Sequence, residues 1–135
     1  MQTYTIWKSG LEFESTFDGH KITLNGASGE DGKRLGFSPK ALLLSGLAGC
    51  SGIDVVDILT KMKVPFEGLE ISADAEQTDE HPKVFKEIFI TYKVKTEPEN
   101  IGRVQRAVDL SIQKYCGVAA MLSKHSEIVV KVEIM

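Results

Sequence analysis

The chain has 135 residues, 42% of them hydrophobic, and a formal net charge of −3. This is the size of one domain, with enough apolar side chains for a core, so a single domain over residues 1–135 is expected. A mildly acidic chain with no run of Lys and Arg lacks the electrostatic footprint of a nucleic-acid binder or of a protein drawn to an anionic membrane surface. Met1-Gln2-Thr3-Tyr4 opens without the basic flank and apolar stretch of a secretory signal. The apolar run Ala41 to Ile53 is shorter than the ~20 residues of a membrane span. A soluble, cytoplasmic protein with no membrane or nucleic-acid partner is therefore expected.

The first third reads as β-structure. Thr3 to Trp7 mixes aromatic and β-branched residues, and Leu11, Phe13 and Ser15 alternate with Glu12, Glu14 and Thr16. Asp18-Gly19 marks a tight turn, with Ile22 to Leu24 returning as the next strand. Gly26 to Gly36, rich in Gly and charge, reads as a loop. Ser38-Pro39 then has the form of a helix start, Ser as N-cap and Pro at the first helical position. The helix is expected to reach about Met62. Its first turns are apolar almost all the way round, which predicts burial on every side and a dimer interface to complete the cover. Gly46, Gly49 and Gly52 recur along it. They suit either close helix packing or room for a substrate beside Cys50. Leu69 to Ala75 and Phe85 to Val94 alternate as strands, separated by the turn Asp79-Glu80-His81-Pro82. Glu97-Pro98-Glu99-Asn100 starts a second helix with Ile101, Val104, Val108 and Ile112 on its apolar face. Gly117 breaks it, Val118 to Ser123 forms a short helix, and Ile128 to Ile134 is a last strand. The order predicts an α+β fold.

The two cysteines, Cys50 and Cys116, are far apart in sequence and can meet only through tertiary packing. In a reducing compartment they are either unrelated core residues or a redox pair. The helix break would place Cys116 at a helix N-terminus, where the dipole favours a thiolate, and Lys114 is close by. Asp54 follows Cys50 by one turn and opposes charge there. On these grounds Cys116 is expected to be the easier thiolate. His20, His81 and His125 form no metal-spaced pair with a cysteine, so no metal site is expected. Asp54 and Asp57 share one helix face and read as a polar edge or a paired-carboxylate site.

The stretch Phe37-Ser38-Pro39-Lys40-Ala41-Leu42-Leu43-Leu44-Ser45-Gly46-Leu47-Ala48-Gly49-Cys50 resembles the cysteine helix of the OsmC/Ohr superfamily. Lys114-Tyr115-Cys116-Gly117-Val118 resembles its second cysteine motif, and Pro82 to Ile88 its intervening strand. Gly49 to Val56 is similar to the Gly-Cys-Ser-x-Ile-Asp-Val-Val run of the YhfA-type subgroup. The resemblance implies an OsmC-like fold, with antiparallel sheets packed on a long central helix in an intertwined homodimer. It implies a hydroperoxide reductase in which Cys50 attacks the peroxide O–O bond and Cys116 resolves the product as a disulfide. This reverses the order that the helix-dipole argument favours. The substrate would be an organic hydroperoxide or another small apolar molecule. No bound cofactor is implied, only an external thiol or dithiol reductant. Family members hold the first thiolate with an arginine from an N-terminal strand, oriented by a glutamate near the helix start. Here the strands before residue 33 carry no arginine, and Lys40 stands at the glutamate position. Arg34 is then the candidate activating cation. The alternative is a non-peroxidase dimer acting as a small-molecule-binding or redox-sensing module.

Overall fold

A computed structural model describes residues 1–26 and 34–135. It divides into two compact units, Met1–Leu43 and Leu44–Met135. In the first, Asp18 and Gly19 take φ of 48° and 81°, the double left-handed geometry that lets a two-residue turn follow the twist of a hairpin. Strand β1 (Tyr4–Ser9) pairs antiparallel with β2 (Glu12–Phe17), and β2 with β3 (His20–Asn25), giving a three-stranded sheet in the order β1-β2-β3. Phe13 faces Trp7 on one side and Leu24 on the other. Most of the expected loop, residues 27–33, lies outside the described residues. Beyond it, the Phe37 N–H donates to the Thr23 carbonyl at 3.1 Å, and the Asn25 N–H donates to the Phe37 carbonyl at 2.9 Å. Gly36 makes this approach feasible, because a Cβ there would fall 2.2 Å from the Thr23 carbonyl oxygen.

Helix α1 spans Pro39–Lys61. It starts as the sequence indicates: the Ala41 N–H donates to Ser38 Oγ at 3.2 Å, with Pro39 at the first helical position. As a whole the helix is longer than its apolar run. By length and a mean hydropathy of 1.7 it qualifies as a membrane span. One side of it packs in the core. From Leu44 onward, Leu47, Ser51, Val55 and Leu59 form a buried stripe at four-residue spacing. Each fully buried aliphatic side chain on it contributes roughly 1.5–3 kcal/mol relative to exposure. Burial on every side is not realised within one chain: Ile53 is 73% exposed and Val56 is also exposed.

The stripe packs with the inner face of the second sheet. Strand β4 (Gly68–Gln77) runs antiparallel to β5 (Phe85–Lys95), where Ile88, Ile90, Tyr92 and Val94 alternate inward and are fully buried. Strand β6 (Glu127–Ile134) pairs with β5 in parallel, so this sheet is mixed where purely antiparallel sheets are expected. The reason is the connection. Between β5 and β6 the chain makes a helical crossover, the usual kind of link that returns a strand in the same direction. The crossover comprises a 3₁₀ turn at Pro98–Asn100, α2 (Ile101–Leu110), a π-helical turn at Ser111–Tyr115 and α3 (Gly117–Leu122). Val104, Ala107 and Val108 of α2 and Ala119 of α3 close the core.

Candidate functional site

The second unit brings the two cysteines together. Cys50 is half-buried on the flank of the α1 stripe, and Cys116 is 3% exposed at the end of the π-helical turn. The two thiols are close enough for Cys50 to act on the titration of Cys116. The widened turn is what presents Cys116. Its N–H donates to the Ser111 carbonyl, five residues back, at 2.7 Å, the bond that defines a π-helix.

Cys116 is also the N-cap of α3, and its sulfur accepts the Ala119 N–H at 3.3 Å. The helix start expected there is present, but it does not make Cys116 the easier thiolate. Burial pushes the thiol up to about 11. The Ala119 N–H opposes this, and the neighbouring Cys50 thiol adds to the rise. Loss of solvation outweighs one backbone donor. Lys114 does not offset it by direct pairing; its ammonium sits 5.2 Å from the centre of the Tyr115 ring.

A set of buried hydroxyls lies beside the pair. Ser111 Oγ donates to the Asp54 carboxylate at 2.9 Å and lies 3.0 Å from Ser51 Oγ; Ser51 Oγ in turn hydrogen-bonds the Tyr92 hydroxyl. Ser51, Ser111 and Tyr92 have no solvent exposure. Burial pushes the Tyr92 phenol up to about 12, against the hydrogen bond from Ser51; negative charge on Cys116, Asp54 or Cys50 would add to the rise. These groups are absent from the sequence expectations. The available signal is a hydroxyl on each buried face: Tyr92 in the inward set of β5, Ser51 next to Cys50, Ser111 near Val108 on the apolar helix.

Asp54 and Asp57 are not a paired-carboxylate site. Asp57 forms an exposed ion pair with Lys61 at 2.7 Å, and Asp54 turns to Ser111. The glycines of α1 divide between the two readings. A Cβ at Gly52 would meet Ile71 Cδ1 at 2.9 Å, so Gly52 serves close packing. Nothing described lies within 4 Å of a Cβ at Gly46 or Gly49. Gly49, Ile53, Val56, Leu69 and Ile71 line an apolar hollow of about 630 Å³ next to the Cys50 turn. In the first unit, Arg34 is exposed and its guanidinium donates to the Asn25 carbonyl at 3.2 Å.

The model of the OsmC-like protein family matches residues 29–133. Protein YhfA of Escherichia coli K12 is 38% identical over 125 residues, covering 92% of this chain and 90% of YhfA. Among solved structures, an OsmC-like protein from Mycoplasma pneumoniae superposes with a TM-score of 0.87 at 18% identity, covering 99% of this chain and 96% of that one. The organic hydroperoxide resistance protein OhrB of Bacillus subtilis superposes with a TM-score of 0.69 at 15% identity, covering 98% of each. At these identities the two structures speak for the fold.

The raised Cys116 thiol has a measurable consequence. Below about pH 9 it is neutral in both folded and unfolded chains. Between about 9 and 11 the unfolded thiol ionises first, so its contribution to stability is lost as pH rises through that window. Site-resolved alkylation of the native reduced protein should show Cys116 labelling accelerate only toward pH 11. An inflection below pH 8 would mean that the helix start, not burial, governs this thiol.

Proposed function

The chain belongs to the OsmC-like family, and from that premise we propose that it is a thiol-dependent reductase of organic hydroperoxides in which Cys50 and Cys116 form the redox couple. The observation that carries the reading is the proximity of a half-buried Cys50 to a buried, protonated Cys116. The Cys50 thiolate attacks the outer peroxide oxygen, the O–O bond breaks, and the alkoxide leaving group takes a proton to become the alcohol. Cys50 is left as a sulfenic acid. The Cys116 sulfur then attacks the Cys50 sulfur, its proton leaves with the displaced hydroxyl as water, and a disulfide forms. An external dithiol returns both thiols, so the chain needs no resident cofactor. A thiol kept neutral until a sulfenic acid stands beside it suits the resolving role, and the apolar hollow next to the Cys50 turn suits an alkyl group better than hydrogen peroxide.

Arg34 is proposed as the cation that activates Cys50, because its guanidinium stays charged and has donors beyond the one given to Asn25. We propose a cytoplasmic location, where thiols are kept reduced. The absence of arginine from β1, β2 and β3 favours a second reading, a dimer that binds a small molecule or senses redox state without turning over peroxide.

Peroxide consumption with a dithiol reductant separates the two. The wild type should turn over an alkyl hydroperoxide, Cys50→Ser should fall to the uncatalysed background, and Arg34→Ala should lose about a hundredfold, as when one oriented donor is removed. Wild-type and Cys50→Ser traces that coincide would leave the second reading standing.

Homodimers are common in this family, and we propose one here. Exposed Ile53 and Val56 on a helix otherwise buried along its stripe support it. The interface should exceed the roughly 2,000 Å² above which obligate pairs fall. Light scattering at high dilution should find no folded monomer; a stable one would exclude the shared interface.

A further inference from the structure

The buried hydroxyls do more than satisfy one another. Ser111 has one hydroxyl proton, and the Asp54 carboxylate accepts it at 2.9 Å. Ser51 Oγ, 3.0 Å away, is a further acceptor within its reach, and Ser51 Oγ shares a hydrogen bond with the Tyr92 hydroxyl. The Ser51 carbonyl, 3.3 Å from Ser111 Oγ, is a second acceptor on the same helical turn. Through its main chain, Ser111 also accepts the Cys116 N–H at 2.7 Å. One residue is thus tied by its side chain to the α1 turn that carries Cys50 and by its carbonyl to Cys116 itself. Asp54 closes the clamp from the residue one turn after Cys50, and it opens onto a hollow of about 470 Å³ with Asp57 and Tyr115.

We propose that Ser111, bonded to Ser51 and Asp54, is the positioning residue that holds Cys50 and Cys116 at bridging distance and so sets the equilibrium of their disulfide. The proposal rests on the cysteine pair being the redox couple, but not on the oxidant being a peroxide. A disulfide forms inside a chain in proportion to how well the two sulfurs are held together beforehand, and displacements near 1 Å matter. The clamp fixes the two turns to each other through two serines with no solvent exposure and a hydrogen bond to a carboxylate, a charge-assisted bond. It also explains the fate of the Asp54 carboxylate, which is committed to Ser111.

The test is thiol–disulfide equilibrium in glutathione buffers. The reaction is protein dithiol plus one oxidised glutathione giving protein disulfide plus two reduced glutathione, read by peptide mapping. Ser111→Ala should lower the equilibrium constant about tenfold to a hundredfold, which moves the potential by about 30 to 60 mV in the less negative direction. Asp54→Ala, at a partly exposed position, should shift it the same way and keeps the test open if Ser111→Ala does not fold. Asp54→Asn retains an acceptor oxygen and should stay near the wild type. Tyr92→Phe loses the bond to Ser51 but leaves the clamp, so it should lower stability without moving the potential. Potentials of Ser111→Ala and Asp54→Ala within twofold of the wild type would overturn the proposal, as would a Tyr92→Phe shift as large as theirs. A wild type that forms no Cys50–Cys116 disulfide would instead overturn the cysteine pairing, and the clamp with it.

Discussion

The contact between two turns of chain carries everything else here: the α1 turn at Cys50 and the π-helical turn that ends at Cys116. It exists because the Leu47, Val55 and Leu59 stripe is pressed onto the inner face of β5, and because Val104 and Val108 bring α2 onto the same core. Apolar packing supplies the force, but it is non-directional and sets no register. The hydroxyls of Ser51, Ser111 and Tyr92 supply direction. They lie in a region without solvent, so each must find a partner, and the partners available bring the two cysteine segments together.

The chemistry follows from the asymmetry of the two thiols. Cys116 has the helix start that ordinarily activates a cysteine, yet burial overrides it and holds the thiol protonated to about pH 11. A buried neutral thiol is inert until an electrophilic sulfur is placed against it. Cys50 is half-buried and so the more exposed of the two, and its neighbour Gly49 lines an apolar hollow. The order of events that the family resemblance implies, Cys50 first and Cys116 second, is compatible with this burial of Cys116, which outweighs its helix start.

Much of the fold was legible because its signals are local. Ser38-Pro39 caps α1 as read, Asp18-Gly19 makes the tight turn, and the alternation from Phe85 to Val94 marks β5 and its inward face. What escaped depends on tertiary context. The parallel pairing of β6 leaves no mark in its alternation, since strand direction is set by the crossover. The extra residue in the turn at Ser111–Tyr115 is invisible to a period of 3.6, and with it goes the link from Ser111 to Cys116. Tyr92 was visible only as a strand residue, although a phenol on an inward face signals a buried partner. Asp54 was read by its distance from Cys50 along the helix, without the serine on another segment that engages it.

The central claim is that Cys50 and Cys116 of one chain are a redox couple. Its most direct test is to treat the reduced protein with one equivalent of an alkyl hydroperoxide and map the peptides without reduction. The account predicts loss of both free thiols and a single intrachain link between the Cys50 and Cys116 peptides. Cys50 recovered as sulfinic acid with Cys116 still a free thiol, and no linked peptide, would contradict it.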